Sequence, residues 1–196
     1  MPYPVAAVRN KNLAQQSAVA AVHVEDSFTA ADGTSLNGRA PDVANTPGNT
    51  WVAALGTWTI ISGRARGTDY ARSYLVIDCG VADCTITMPL GRDNNGNGIV
   101  FRYVDNSNYW ILWYYGGGGL TLYEITAGGS ELRASAAENT TDVATATVTL
   151  SGNDISVDFY GHTLTYSSSV RATATKHGIG RESAVDSGVA EWWKLV

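Results

Sequence analysis

Residues 98–115 combine an almost unbroken run of apolar and aromatic positions with one short polar interruption, Asp105–Asn108. This pattern predicts two strands joined by a polar turn. Side chains alternate between the two faces of a strand, so odd-numbered and even-numbered residues are expected on opposite faces of the hairpin. The hairpin is therefore the natural starting point for predicting the fold.

The predicted register pairs Tyr103 with Tyr109 and gives the hairpin two different faces. The odd-numbered face is continuously apolar and belongs in a core: Ile99, Phe101, Tyr103, Tyr109, Ile111, Trp113 and Tyr115. The even-numbered face carries Arg102, Trp110, Leu112 and Tyr114. Because an arginine is rarely buried without a partner, this second face is expected to be an aromatic surface.

The rest of the chain repeats short apolar segments, such as Ser73–Asp78 and Cys84–Leu90, separated by turns rich in Gly and Asn. A helical period of apolar positions is not sustained anywhere. Many short strands at a spacing of roughly 8–12 residues are typical of an antiparallel sandwich. The sequence predicts an all-β protein, an antiparallel jelly-roll β-sandwich over residues 25–196.

Residues 1–24 differ from the remainder of the chain, with two early prolines followed by a polar stretch and a short apolar segment. They are interpreted as an extended N-terminal arm that packs on the domain or on a neighbouring subunit, with a disordered tail as the alternative. The apolar residues expected to mediate assembly through the arm are Tyr3, Val5, Val8, Val19 and Val22.

Composition excludes some classes of function. The formal net charge of −5 argues against nucleic-acid binding, which requires clustered basic residues. The N-terminus lacks the layout of a secretion signal, and no apolar run approaches the roughly 18 residues that a membrane helix needs. We expect no membrane insertion, and a location on a virion surface or outside the cell that is reached without a signal peptide.

The two cysteines, Cys79 and Cys84, flank a predicted turn. Opposed positions on a hairpin could be bridged by a disulfide. The alternative is that each thiol fills a small apolar site in the core, since no other cysteine suggests a disulfide framework. Both alternatives stay open from the sequence.

No catalytic residue is assigned from the sequence. Hydrolysis of a glycosidic bond needs two carboxylates at a defined separation, and the Glu-x-Asp-x-Glu strand of jelly-roll glucanases is missing. Four acidic residues of the second half of the domain lie far apart along the chain: Glu124, Glu131, Asp158 and Glu191. A pair could still assemble in space, but the expectation is a protein that is not an enzyme.

One segment matches the first half of a calcium-binding loop, with oxygen ligands at Asp93, Asn95 and Asn97 followed by a glycine. The acidic residue required at the twelfth position is replaced by Val104. A polar turn is the preferred interpretation, and no cofactor is expected apart from this calcium candidate.

Several segments together resemble the concanavalin A-like (laminin-G-like) jelly-roll domains. Besides the hairpin they are Asp26–Phe28, Gly56–Ile60, Ser62–Arg66, Ile155–Gly161 and His177–Gly180. The sequence is similar in style to bacterial keto-disaccharide hydrolase-like domains and to modules on phage virion proteins. The resemblance implies the fold and contact with glycans, whereas function has to be argued from the site.

The predicted contact surface for a glycan or a partner consists of Arg102, Trp110, Leu112 and Tyr114. Sugars stack their C–H faces on aromatic rings, and an adjacent arginine donates hydrogen bonds to hydroxyls. The arm, the long loop before residue 50 or another subunit could instead cover this face.

The predicted function is that of a non-catalytic virion surface protein of the capsid decoration or fibre type. Its partners would be other virion subunits or further copies of itself in a homo-oligomer, with cell-surface glycans as additional ligands. The alternatives are a free-standing carbohydrate-binding module and a glycoside or disaccharide hydrolase.

Overall fold

The computed structural model describes residues 22–68, 72–91, 96–115, 119–137, 142–182 and 190–196. Within these residues the chain forms strands and turns and no helix. The first sheet contains, in spatial order, β14 (His162–Ser167), β13 (Asp154–Phe159), β12 (Ala144–Ser151), β7 (Cys84–Leu90), β16 (Trp193–Leu195), β1 (Val24–Asp26) and β2 (Val43–Ala44). The second sheet contains β11 (Gly129–Ala136), β10 (Gly119–Thr126), β9 (Asn108–Tyr115), β8 (Asn97–Asp105), β15 (Lys176–Arg181), β6 (Ser73–Asp78) and β3 (Val52–Leu55). A small hairpin is formed by β4 (Trp58–Ile60) and β5 (Ala65–Gly67).

The two large sheets pack face to face as a jelly-roll sandwich, and the predicted fold class is confirmed. All strand pairs in the described residues are antiparallel, and non-consecutive neighbours such as β7 and β12 show that the chain crosses between sheets. No helix in the described part of the chain has the length and apolar character needed to span a membrane.

The first sheet buries only one of its faces. Along β12, the residues Ala146, Val148 and Leu150 lie in the core, whereas the threonines between them are partly exposed. This strict alternation between apolar and polar positions is expected for a sheet with one solvated face.

The central strands of the second sheet are buried on both faces, whereas its edge strands β11 and β3 are largely exposed or half-buried. Trp110 and Leu112 of β9 pack in the core between the sheets, whereas Ile111 and Trp113 belong to a separate apolar cluster on the opposite side. We call that opposite side the outer face of the second sheet. Burial on both sides explains why β8 and β9 are nearly continuous apolar runs.

The central hairpin and its polar turn are confirmed, but the predicted register is wrong. Phe101 pairs with Trp110 and Asp105 pairs with Asn108, so three residues of β8 lie opposite Tyr109 alone. This β-bulge begins at Arg102, whose φ of 48° lies in the left-handed region that side chains other than glycine rarely adopt. The bulge cannot be inferred from alternation alone, because alternation assumes an uninterrupted pleat.

The bulge reverses the predicted faces of β9, so the expected contact surface is corrected, whereas Ile99 and Phe101 of β8 lie in the core as predicted. Trp110, Leu112 and Tyr114 point into the core between the sheets and are fully buried, as is Arg102. A one-residue change in register moves every side chain of a strand to the other face. Tyr103, Tyr109, Ile111, Trp113 and Tyr115, which were expected in the main core, lie instead on the outer face.

The start of the domain is organised by the buried carboxylate of Asp26. It accepts hydrogen bonds from the indole of Trp51 at 2.7 Å and from the backbone N–H of Phe28 at 2.9 Å, and it forms an ion pair with Arg39. Val24, which was predicted to end the arm, already belongs to β1 and pairs with Leu195.

Among the predicted arm residues, Val22 is partly buried beside β1. Tyr3, Val5, Val8 and Val19 lie outside the described residues, so the division into arm and domain stays a prediction.

Candidate functional site

Tyrosines form a connected row across the outer face of the second sheet. The hydroxyls of Tyr74 and Tyr109 are hydrogen-bonded to each other, and the ring centroids of Tyr103 and Tyr109 lie 5.9 Å apart. The Tyr103 hydroxyl donates to the side-chain oxygen of Asn106 at 2.7 Å. Burial raises the pKa of Tyr74 strongly and that of Tyr103 to about 12, so both phenols are neutral at physiological pH.

At one end of this face, the indole of Trp113 lies over two glycines of neighbouring strands. A Cβ atom built at Gly98 would come within 2.6 Å of the indole, and one at Gly180 within 3.1 Å. The Trp113 indole can therefore lie this close to β8 and β15 only because glycine has no side chain at these two positions.

A small pocket of about 150 Å³ opens beside Trp113. Its charged groups are already engaged with one another. The guanidinium of Arg72 contacts the Glu182 carboxylate at 2.5 Å, and the hydroxyl of Tyr115 donates to the same carboxylate. A ligand would have to break this network, so the Trp113 pocket is a poor first candidate.

A larger pocket of about 470 Å³ opens at the other end of the outer face, and we call it the edge pocket. Its volume lies in the range of roughly 300–1,000 Å³ that is typical of small-molecule sites. Strands β3, β6, β15 and β8, the loop before β3 and the turn after β8 supply its lining. The lining residues are Gly48, Asn49, Thr50, Val52, Ala54, Val76, Asp78, Tyr103, Val104, Asp105, Asn106 and Lys176.

Strand pairing brings the polar groups of the edge pocket together. Lys176 pairs with Asp78 of β6 on one side and with Tyr103 of β8 on the other. Asn49 reaches the same place from the preceding loop, where its amide donates to the Asp78 backbone carbonyl. Four separate parts of the sequence therefore converge on one pocket.

Part of the hydrogen-bonding capacity of the edge pocket is unused by the described residues. One oxygen of Asp78 accepts from the hydroxyl of Thr175 at 2.7 Å and from the N–H of Gly80 at 3.0 Å, while its second oxygen has no described partner. The ammonium of Lys176 likewise forms no hydrogen bond within the described part of the chain. An acceptor and a donor thus face the pocket side by side.

Apolar groups complete the pocket. Val52 and Val104 are 49% and 51% exposed on its rim, which is unusual for valines in strands. Together with Ala54 they offer C–H surface beside the polar groups. An apolar lining with a few convergent polar groups is the usual composition of a ligand site.

Both carboxylates of the edge pocket are held in the ionised form. The hydroxyl of Thr175 lowers the pKa of Asp78, and the N–H of Ser107 lowers that of Asp105. A general acid needs a pKa raised towards the working pH, so neither group suits that role. Among the described residues, no group of three or more His, Cys, Asp or Glu side chains could hold a metal ion.

Arg102, a predicted contact residue, instead connects two loops from within the protein. Its guanidinium donates to the carbonyls of Gly152 at 2.5 Å and Ser168 at 3.5 Å, and its backbone N–H donates to His177 Nδ1 at 3.3 Å. Burial lowers the pKa of His177 to about 4, and Arg102 acts in the same direction. This cluster supports the fold rather than a ligand.

The cysteines lie beside the same cluster. Cys79 and Cys84 are free and buried, in agreement with the alternative that each thiol fills a core site. Burial raises the pKa of Cys84 to about 12, so its thiol is protonated and unreactive at neutral pH.

The scattered acidic residues have structural partners. Glu124 is buried and pairs with Arg133 at 2.8 Å, Glu131 also pairs with Arg133, and Glu191 contacts Arg64 at 2.5 Å. Asp158 accepts a hydrogen bond from Thr163 at 2.8 Å. Glu124 and Glu131 lie opposite each other on β10 and β11 and share Arg133, but the four residues do not converge on one site.

The calcium candidate is split by the structure. Asn97 is part of strand β8, is 3% exposed and pairs with Tyr114, which differs from the loop position that the motif requires. Asp93 and Asn95 lie outside the described residues.

The edge pocket was missed by sequence reasoning because its residues come from separate segments that no motif links. The one local signal was Val104, an apolar residue that directly follows Tyr103 at a strand end and precedes the polar turn. Because Val104 lies within the bulge of β8, its side chain does not enter either apolar cluster and stays exposed.

Comparisons with known proteins support the fold. No protein-family model matches the chain, and no curated protein does. The carbohydrate-binding module CBM66 from Bacillus subtilis superimposes with a TM-score of 0.55 at 14% identity, covering 74% of this chain and 91% of that one. A β-glucanase from Bacillus licheniformis gives 0.53 at 10% identity, covering 88% and 96% of the two chains. The GH43 protein BlXynB from the same organism, as its K247S mutant, gives 0.52 at 14% identity; the match covers 81% of this chain and 41% of that one.

The expectation that the protein is not an enzyme is corrected by these similarities. The same sandwich occurs in a glucanase and a GH43 protein as well as in a binding module, so the fold does not exclude an enzyme. The chain has the concanavalin A-like jelly-roll fold that the sequence predicted.

Proposed function

We propose that the protein binds carbohydrate, with the edge pocket as its binding site. The observation that carries this proposal is the convergence of unused polar groups and exposed apolar groups in one pocket. The free oxygen of Asp78 and the ammonium of Lys176 lie beside the exposed side chain of Val104. Sugar rings have this dual character, with hydroxyls that donate and accept around an apolar C–H face.

The fold supports the proposal at the level of analogy. The CBM66 structure is a carbohydrate-binding module and shares this sandwich. At 14% sequence identity, the role of no individual binding residue can be carried over from CBM66, so the proposal depends on the residues of the edge pocket.

Calorimetric titration with gluco-, xylo-, manno- and galacto-oligosaccharides tests the proposal. Lys176→Gln and Val104→Ser should each weaken binding about tenfold, equivalent to about 1.4 kcal/mol. The matched controls are Lys194→Gln and Val143→Ser, which make the same changes on the first sheet or beside it. Equal affinity in all four variants, or no binding by the unaltered protein, would rule the site out.

The same titrations also detect cleavage, because released reducing ends can be measured in the recovered samples. We assign no hydrolytic mechanism to the edge pocket, since the pKa of each of its carboxylates is lowered.

The virion surface role and assembly through residues 1–24 stay predictions. The three similar structures are a carbohydrate-binding module, a β-glucanase and a GH43 protein, so they do not bear on assembly.

A further inference from the structure

We infer that the edge pocket selects uncharged glycans and discriminates against glycans that carry carboxylates. This inference rests on the proposed function and names the class of sugar that the same site accepts. It follows from the balance of charges and of hydrogen-bond donors and acceptors around the pocket.

The acidic and basic side chains of the lining are Asp78, Asp105 and Lys176. Lys176 lies directly opposite Asp78 in the antiparallel pairing of β15 and β6, so these two charges offset each other. Asp105 remains as the unbalanced charge in the pocket. An anionic sugar would therefore meet a net negative site.

One further cation that acts on the pocket, Arg171, already contacts other groups. Arg171 acts on Asp105 electrostatically, but its guanidinium also contacts the Glu124 carboxylate at 3.5 Å and donates to the Tyr109 carbonyl at 3.4 Å. Reorienting Arg171 towards a ligand would leave Glu124 with less compensation in a buried position. Lys176 is thus the one ammonium or guanidinium group within the described lining that can donate to a ligand.

The unused groups of the edge pocket include hydrogen-bond acceptors as well as donors. The second oxygen of Asp78 and the side-chain oxygen of Asn49 accept hydrogen bonds, whereas Lys176 and the hydroxyl of Thr50 donate. A hydroxyl can donate to these acceptors, but a carboxylate can only accept. Replacing a sugar hydroxymethyl group by a carboxylate would remove a donor and place like charges together.

The experiment compares sugars that differ only in this group. Manno-oligosaccharides and the corresponding mannuronate oligosaccharides share their linkage and differ at C6, where one carries CH₂OH and the other a carboxylate. Titrations would be run at low and at high sodium chloride, with gluco- and glucurono-oligosaccharides as a second pair. The test variant is Asp105→Asn, which retains an acceptor for the Ser107 N–H; Asp158→Asn makes the same change on the first sheet.

The neutral member of a pair should bind at least about tenfold more tightly than its carboxylated partner at low salt, because like charges are brought together. High salt should change the affinity for the neutral sugar by less than about twofold. It should reduce the difference in affinity between the neutral and the carboxylated sugar, because screening weakens only the charged contact. Asp105→Asn should also reduce this difference in affinity, and Asp158→Asn should not.

Equal or tighter binding of the carboxylated sugars would overturn the inference while leaving the proposed function intact. The inference would also be overturned if Asp105→Asn left the difference in affinity between neutral and carboxylated sugars unchanged. Absence of binding by every sugar would instead refute the proposed function.

Discussion

The hydroxyls of Tyr74 and Tyr109 are hydrogen-bonded to each other on the outer face of the second sheet, although the two residues are 1% and 2% exposed. They join β6 to β9 across two intervening strands and lie between the Trp113 pocket and the edge pocket. The outer face is therefore a packed layer with a pocket at each end, rather than an open groove.

Removing either hydroxyl leaves its partner buried without that hydrogen bond. Tyr109→Phe should lower the free energy of unfolding by about 1–3 kcal/mol. The double variant with Tyr74→Phe should cost less than the sum of the single changes, because the two hydroxyls share one interaction. Urea denaturation of the four proteins measures this coupling, and strictly additive losses would contradict it.

Arg102 combines a left-handed backbone conformation with a fully buried cation. Arg102→Met retains much of the side-chain volume but leaves the carbonyls of Gly152 and Ser168 without this donor. We expect the free energy of unfolding to fall by about 2–4 kcal/mol. Denaturant titration provides the measurement, and a loss below about 0.5 kcal/mol would show that the guanidinium is not needed.

His177 predicts a specific loss of stability in acid. Its pKa is about 4 in the folded protein, whereas the ordinary value is 6.5, so the unfolded state binds more protons between these values. Stability should therefore decrease as the pH falls from 6.5 to 4, by about 3 kcal/mol in total. The charged groups that act on this imidazole are Arg102 and Asp78, and its Nε2 also contacts the Val81 carbonyl and Cys84.

A His177→Gln variant isolates this contribution, because other carboxylates titrate in both proteins. The difference in unfolding free energy between the two proteins should shrink as the pH falls from 7 to 4. A constant difference across this range would show that His177 does not titrate on unfolding.

Gly178 allows β15 to approach β6 closely. A Cβ there would lie 2.0 Å from the Leu75 carbonyl oxygen, whereas one at Gly129 has its nearest neighbour at 3.4 Å. Gly178→Ala should therefore cost more than about 2 kcal/mol, and Gly129→Ala should change stability by less than about 0.5 kcal/mol. Thermal unfolding of both variants tests the ranking, and similar melting temperatures would contradict it.

The strands could be predicted from sequence because apolar alternation and turn residues are local signals. Ser73–Asp78 and Cys84–Leu90 are strands with the bounds that the pattern indicates. The faces of the hairpin could not be predicted, because the bulge at Arg102 depends on a buried site formed by Gly152, Ser168 and His177. Those partners are 50 to 75 residues distant in sequence.

The candidate site was beyond prediction for a related reason. The polar groups of the edge pocket meet only through the pairing of β15 with β6 and β8, and through the loop that carries Asn49. Aromatic residues were the most conspicuous feature of the sequence, but most of them pack either in the core between the sheets or on the outer face of the second sheet. The residues that remain available to a ligand are less conspicuous ones, such as Lys176 and Val104.

The most direct test of carbohydrate binding at the edge pocket is a chemical-shift titration of the ¹⁵N-labelled protein with a neutral manno-oligosaccharide. Binding there predicts saturable shifts at the backbone amides of Thr50, Asp78 and Lys176 and at the side-chain amide of Asn49, with little change at Glu182. Saturable shifts centred on Arg72, Trp113 and Glu182 would place the site in the other pocket. No shifts at any concentration of this sugar or of its gluco-, xylo- and galacto- counterparts would contradict carbohydrate binding itself.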